Sequence, residues 1–134
     1  MVSLGFVQEF SKFDAKIDNP MWAVSAISSD GSFVLSGWAH YFKRGGPGVL
    51  RYVDSLSRWT GNERGNRLLE RHLFKAFSEQ LPVRMVVATA EKPEAVERET
   101  DASKIKKTFH VMEKDVGCVT EFDGDRYVIE FRRP

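Results

Sequence analysis

The sequence predicts an α+β domain: a mainly antiparallel, curved sheet of two hairpins and a central strand, with two helices packed on one face. Three observations carry this expectation. Asp30-Gly31 and Asp123-Gly124 each stand between runs rich in β-branched and aromatic residues, a hairpin signature. Val83 to Ala90 (VRMVVATA) is nearly unbroken apolar sequence, as a strand covered on both faces requires. Two intervening stretches repeat their apolar residues at helical spacing. A small, partly closed β-barrel with flanking helices is the alternative, since long hairpins can curl around a central strand.

Taken in order, residues 1–20 form an N-terminal arm or short helix, and residues 21–134 a single α+β domain. Phe6, Phe10, Phe13 and Ile17 keep an i, i+4, i+7, i+11 spacing, and Pro20 ends the segment. Trp22 to Ser29 and Ser32 to Phe42 read as strands joined by Asp30-Gly31, a pair that suits a type I′ turn. In the second strand Val34, Trp38 and Phe42 point one way, and Phe33, Leu35 and Tyr41 the other. Large apolar groups on both sides imply a doubly covered strand. Lys43 to Gly48 (KRGGPG) reads as a flexible loop, with Pro47 placed to start a helix.

Val49 to Trp59 is the first predicted helix, on the stripe Val49, Val53 and Leu56. Thr60 to Asn62 breaks it, with Gly61 available as a cap. The second helix carries Leu68, Leu69, His72, Leu73, Ala76 and Phe77 on one face, and Pro82 closes it. After the central strand, Lys92 to Thr108 is highly charged and reads as a loop with a short surface helix. Val116 to Phe122 and Arg126 to Arg132 then make the second hairpin. Its last strand turns Tyr127, Ile129 and Phe131 inward and Arg126, Glu130 and Arg132 outward.

Composition narrows the function classes. At 134 residues the chain suits one domain and needs no metal or disulfide staple. With 42% hydrophobic residues and a net charge of +1, it is not a disordered chain. A lone Cys118 excludes a disulfide scaffold and fits a reducing compartment. The start, Met1 to Phe10, lacks a secretory signal pattern, and no apolar run approaches the ~18 residues of a membrane span. A cytoplasmic location with no membrane partner is the expectation.

The +1 total conceals a segregation. Residues 38–84 carry nine basic and four acidic side chains, whereas residues 1–37 carry two and four, and residues 85–134 nine and eleven. Arg44, Arg51 and Arg58 are seven residues apart, and the last two share a face of the first predicted helix. Arg64, Arg67, Arg71 and Lys75 form one stripe on the second, nearly opposite its leucines. Arg71 and Lys75 are expected to have acids at i±4, Glu79 for Lys75, and Arg67 none. Arg64 and Arg67 near a helix start oppose the macrodipole, an arrangement that costs a few tenths of a kcal/mol, roughly. Lys43 and Arg44 in the glycine loop add a mobile anchor. Trp38, Tyr41 and Trp59 lie among these cations as candidate stacking residues beside candidate phosphate ligands. A basic helix face is ordinarily just a solvated face, and a tryptophan is more often core than platform.

Catalytic chemistry has little support. His40, His72 and His110 show no metal-ligand spacing, and neither a Cys-x-x-Cys nor a His-Glu-x-x-His occurs, so no metal and no cofactor is expected. His72 lies on an apolar helix face, where a satisfied core histidine is the ordinary reading. His40, beside the glycine loop, is the one general acid/base candidate, with Arg44 as anion clamp. There is no Gly-x-Ser-x-Gly elbow and no phosphate-binding loop ending in Gly-Lys-Ser/Thr.

The expected function is therefore a non-catalytic module contacting nucleic acid or another polyanion through a basic helix-loop-helix surface. Its candidate ligands are Lys43, Arg44, Arg51, Arg58, Arg64, Arg67, Arg71 and Lys75. The alternatives are an interaction or adaptor domain, binding an acidic protein surface or a second copy of itself, and an enzyme acting on a phosphorylated substrate.

Overall fold

The structure, a computed structural model, describes residues 8, 10–13, 15, 24–58, 63–92, 94, 107–112 and 115–132. Its strands are β1 (Ser25–Ile27), β2 (Phe33–Trp38), β3 (Phe42–Gly46), β4 (Val49–Ser55), β5 (Val83–Ala90), β6 (Lys107–Val111), β7 (Gly117–Phe122) and β8 (Arg126–Arg132). The long helix of the described residues, α1 (Glu63–Glu79), lies between β4 and β5. All eight strands join one sheet in the order β1-β2-β5-β7-β8-β4-β3, with β6 also pairing β5. Only the β2–β5 pairing is parallel; the other six are antiparallel.

This overturns the expected fold class. With 49% of the described residues in strands and one long helix among them, the molecule is a mostly β open sheet, not two helices on a curved sheet. The strand path ends at β1 and β3, so the partly closed barrel is not formed either.

The error lies in residues 42–59. Val49, Val53 and Leu56 fit a helical stripe, but Leu50, Tyr52 and Asp54 also alternate with Val49, Arg51 and Val53 at the period of a strand. Pairing with β3 and β8 selects the strand period, and the turn before Val49 permits the β3 pairing. Pro47 and Gly48 sit between the paired Gly46 and Val49, with Gly48 at φ +70°, the pattern of a type II turn with Pro first and Gly second. The KRGGPG segment is thus β3 and its turn rather than a loop, and Pro47 starts a hairpin rather than a helix. A register shift between Arg44 and Gly46 accommodates the turn.

The Asp30-Gly31 hairpin forms, though with different turn geometry. Gly31 has φ +89° while Asp30 does not take positive φ. The Gly31 N–H donates to the Ser28 carbonyl at 3.0 Å, and the Ser28 N–H to the Ser32 carbonyl at 2.8 Å. This is a type I turn followed by one left-handed glycine, the three-residue loop that follows type I′ in frequency. Lys107 to Val111, expected within a loop and surface helix, adds β6 to the sheet; the remainder of that segment, and most of the N-terminal arm, lies outside the described residues.

Burial follows strand parity. Phe33 and Leu35 of β2, and Val83, Met85 and Val87 of β5, enter the main core with Tyr52, Leu69, Leu73, Ala76, Val119, Tyr127, Ile129 and Phe131. Val34 and Val86 face a second cluster with Phe10, Ala15, Ala26 and Leu68, while Trp38, Ala88 and Ala90 form a third. Strands β2 and β5 are therefore covered on both faces. The chain turns at Ala39–Tyr41, which resets parity, so Phe42 packs on the main core rather than beside Trp38. Each fully buried aliphatic or phenylalanine side chain contributes ~1.5–3 kcal/mol relative to exposure.

Candidate functional site

Helix α1 is fixed at both ends. The Asn66 side-chain amide in its first turn donates to the Leu56 carbonyl at 2.8 Å, tying the helix start to the chain leaving β4. That segment is held in turn by the β7–β8 turn: the Ser57 N–H and hydroxyl donate to the Asp125 carboxylate at 2.7 and 3.0 Å. At the other end Gln80 takes φ +51°, and the Leu81 N–H donates to the Ala76 carbonyl at 3.0 Å. This is a Schellman-type stop in which glutamine occupies the left-handed position usually given to glycine. Pro82 follows and cannot extend the helix.

Leu68, Leu69, Leu73 and Ala76 are buried, and the cationic stripe occupies the exposed remainder of α1, bordering Leu68 at Arg64 and Lys75. Arg64, Arg67, Arg71 and Lys75 are all exposed. Arg67 pairs with Glu63 at 3.7 Å, which corrects the expectation that it lacks an acid. Lys75 pairs with Glu79 at 3.1 Å, as the spacing implied. Both pairs are exposed i, i+4 contacts of the kind that contribute only ~0.3–0.5 kcal/mol. Arg64 and Arg71 have no carboxylate partner among the described residues, which corrects the expectation for Arg71: its i±4 neighbours are Arg67 and Lys75. They stand seven residues apart, about 10 Å along the helix axis, on one face.

The other cations lie elsewhere. Arg51 and Lys43 are cross-strand partners on β4 and β3, at positions alternating with the core-facing Tyr52 and Phe42. Arg51 bonds the Glu130 carboxylate on β8 at 3.3 Å, and Arg132 pairs with the same carboxylate. Glu130, expected to face solvent, is largely buried under these two arginines. Lys43 and Arg44 are exposed. The core lies between the Lys43/Arg51 face of the sheet and the stripe on α1, so the basic helix-loop-helix surface is not formed. The Arg58 side chain and all of Trp59 lie outside what the structure describes.

The expected aromatic platforms fare differently. Trp38 is 5% exposed, packed with Ala88 and Ala90, and presents no open ring. Tyr41 is half-buried with His40 at 4.4 Å between ring centroids, and His40 is exposed. His72 is the satisfied histidine anticipated: its Nδ1 shares a 2.8 Å hydrogen bond with the buried Ser25 hydroxyl. Cys118 is a free, partly exposed thiol. No group of three His, Cys, Asp or Glu among the described residues could hold a metal ion, and no described helix is long and apolar enough to cross a membrane.

Sequence reasoning missed Phe74. It is 63% exposed on α1, and its ring meets Phe122 of β7 edge-on at 5.6 Å. Phe77, expected on the apolar face, is 37% exposed at the rim of that face. The signal was present: at 100° per residue Phe74 falls well away from Leu69 and Leu73, toward Arg67 and Arg71.

No family model and no curated protein matches the chain. Among solved structures, a crystal structure of KRYPTONITE in complex with mCHG DNA and SAH aligns with 98% of this chain at 19% identity and a TM-score of 0.31. The chain spans 26% of that protein's length, and a likeness of this size carries no functional argument.

Proposed function

We propose that this chain is a small non-catalytic binding module that contacts nucleic acid or another polyanion through the outer face of α1. Arg64 and Arg71 make the phosphate contacts, with Arg67 and Lys75 contributing as their exposed pairs with Glu63 and Glu79 exchange. The observation that supports this reading is the pair of exposed arginines on one helix face with no carboxylate partner among the described residues. Arginine presents a planar fork of donors that matches phosphate, and it stays charged at any physiological pH. The net charge is only +1, so binding is modest and falls steeply with salt.

Arg64→Glu/Arg71→Glu tests the reading, with Lys43→Glu as the comparison on the sheet face away from the core. Fluorescence anisotropy with labelled DNA and RNA oligonucleotides at ~50 mM salt, where counterion release favours binding most, reads the affinity. The helix variant is expected to lose at least tenfold in affinity with an unchanged unfolding midpoint, and Lys43→Glu much less. Absence of binding by the unaltered protein, or equal losses in both variants, refutes it.

A further inference from the structure

Resting on the polyanion reading above, we infer that the ligand is single-stranded nucleic acid, with one base stacked on Phe74 while Arg64 and Arg71 hold the neighbouring phosphates. Phe74 is the most exposed large apolar side chain of the described residues, and the core does not need it: Leu69, Leu73 and Ala76 already fill the buried side of α1. Its place on the helix sets it three residues after Arg71 and seven after Arg67, beside the cationic stripe.

An exposed aromatic ring beside a row of exposed arginines combines the two elements of single-strand binding, a base-stacking surface and a charged track for the backbone. The edge-on contact with Phe122 supports the ring from one side and limits its rotamers, so little freedom is lost when a base arrives. In a duplex the base faces are already stacked on one another, and a phenylalanine can reach them only by unstacking a step. In a single strand they are open. Phenylalanine donates and accepts no hydrogen bonds, so the preference is for strandedness rather than for sequence.

Charge is what selects this occupant over a second copy of the chain: Arg64, Arg67, Arg71 and Lys75 outnumber Glu63, Glu70 and Glu79 on α1, and that excess suits a polyanion better than the same face of another copy. Phe74→Ala, measured against a labelled single-stranded oligonucleotide and its duplex at ~50 mM salt, tests the inference. Stacking on an aromatic side chain predicts that the single-strand affinity falls by at least about fivefold while the duplex affinity is unchanged. Phe74→Leu keeps the bulk and loses the ring, and is expected to bind as weakly as Phe74→Ala. Equal affinity of Phe74→Ala and the unaltered protein for the single strand overturns the stacking role and leaves the polyanion reading intact. If the unaltered protein binds neither probe, both readings fall. A dimer in sedimentation velocity that Phe74→Ala dissolves, with oligonucleotide binding unchanged, assigns the ring to self-association and also overturns the inference.

Discussion

Tyr52 shows how one side chain can join distant parts of an open sheet. Fully buried, it accepts a hydrogen bond from the Trp38 N–H at 3.0 Å at the end of β2 and donates one to Asp54 Oδ2 at 2.8 Å. Asp54, itself buried, also accepts from the Ser55 N–H at 2.8 Å. Tyr52→Phe removes both bonds of the hydroxyl while leaving the ring in place. Leaving buried groups unsatisfied costs ~1–3 kcal/mol, to be read as a lower urea midpoint with an unchanged slope. An unchanged midpoint would show that water replaces the hydroxyl. Two turn carboxylates act at the same scale. Asp30 is held below the usual carboxylate range by the Ser28 hydroxyl and then by Ser32, and Asp123 by the backbone N–H groups of Asp125 and Arg126. Each is more acidic folded than unfolded, so its stabilisation is complete above the unfolded value near 4 and is lost as pH falls through the lower folded value. Below about pH 4 the unfolding free energy is therefore expected to drop with pH, and Asp30→Asn/Asp123→Asn to flatten that drop, measured by denaturant titration. An identical acid slope in the variant would place the titrating groups elsewhere.

At the scale of elements, legibility depended on whether one period had a competitor. Val83–Ala90 and Arg126–Arg132 were readable because β-branched runs and clean alternation admit a single interpretation, and α1 because its leucines recur over many residues. Residues 49–55 supported two periods, and hydrogen bonding to β3 and β8 on either side chose between them. That choice is tertiary and is not written in the stripe itself. The same reason explains the candidate site. The α1 stripe was legible because helical angle follows from spacing alone. The burial of Trp38 depends on β5 and was not legible, and the far-side position of Arg51 followed from the wrong element. Leu73 anchors α1 to the sheet with no exposed surface, and Leu73→Ala is expected to cost ~2–5 kcal/mol. A cost under ~1 kcal/mol by urea unfolding would mean that α1 does not depend on this contact for its position.

Over the whole molecule, the core divides the cations into two groups that cannot act on one site as a rigid surface. The sheet group is partly satisfied internally, through the Glu130 carboxylate shared by Arg51 and Arg132. The helical group keeps Arg64 and Arg71 without an ion-pair contact among the described residues. The near-zero total of +1 is thus compatible with a local cationic face, because the acidic residues are concentrated outside residues 38–84. Counterion release makes that face measurable. Each phosphate neutralised on a single strand contributes about −0.7 to the slope of log affinity against log salt concentration. The direct measurement is this slope for a labelled single-stranded oligonucleotide, compared between the unaltered protein and Arg64→Gln/Arg71→Gln. Binding is expected at ~50 mM salt with a clearly negative slope, and a slope shallower by about 1.4 in the variant. Equal slopes for the two proteins would contradict it.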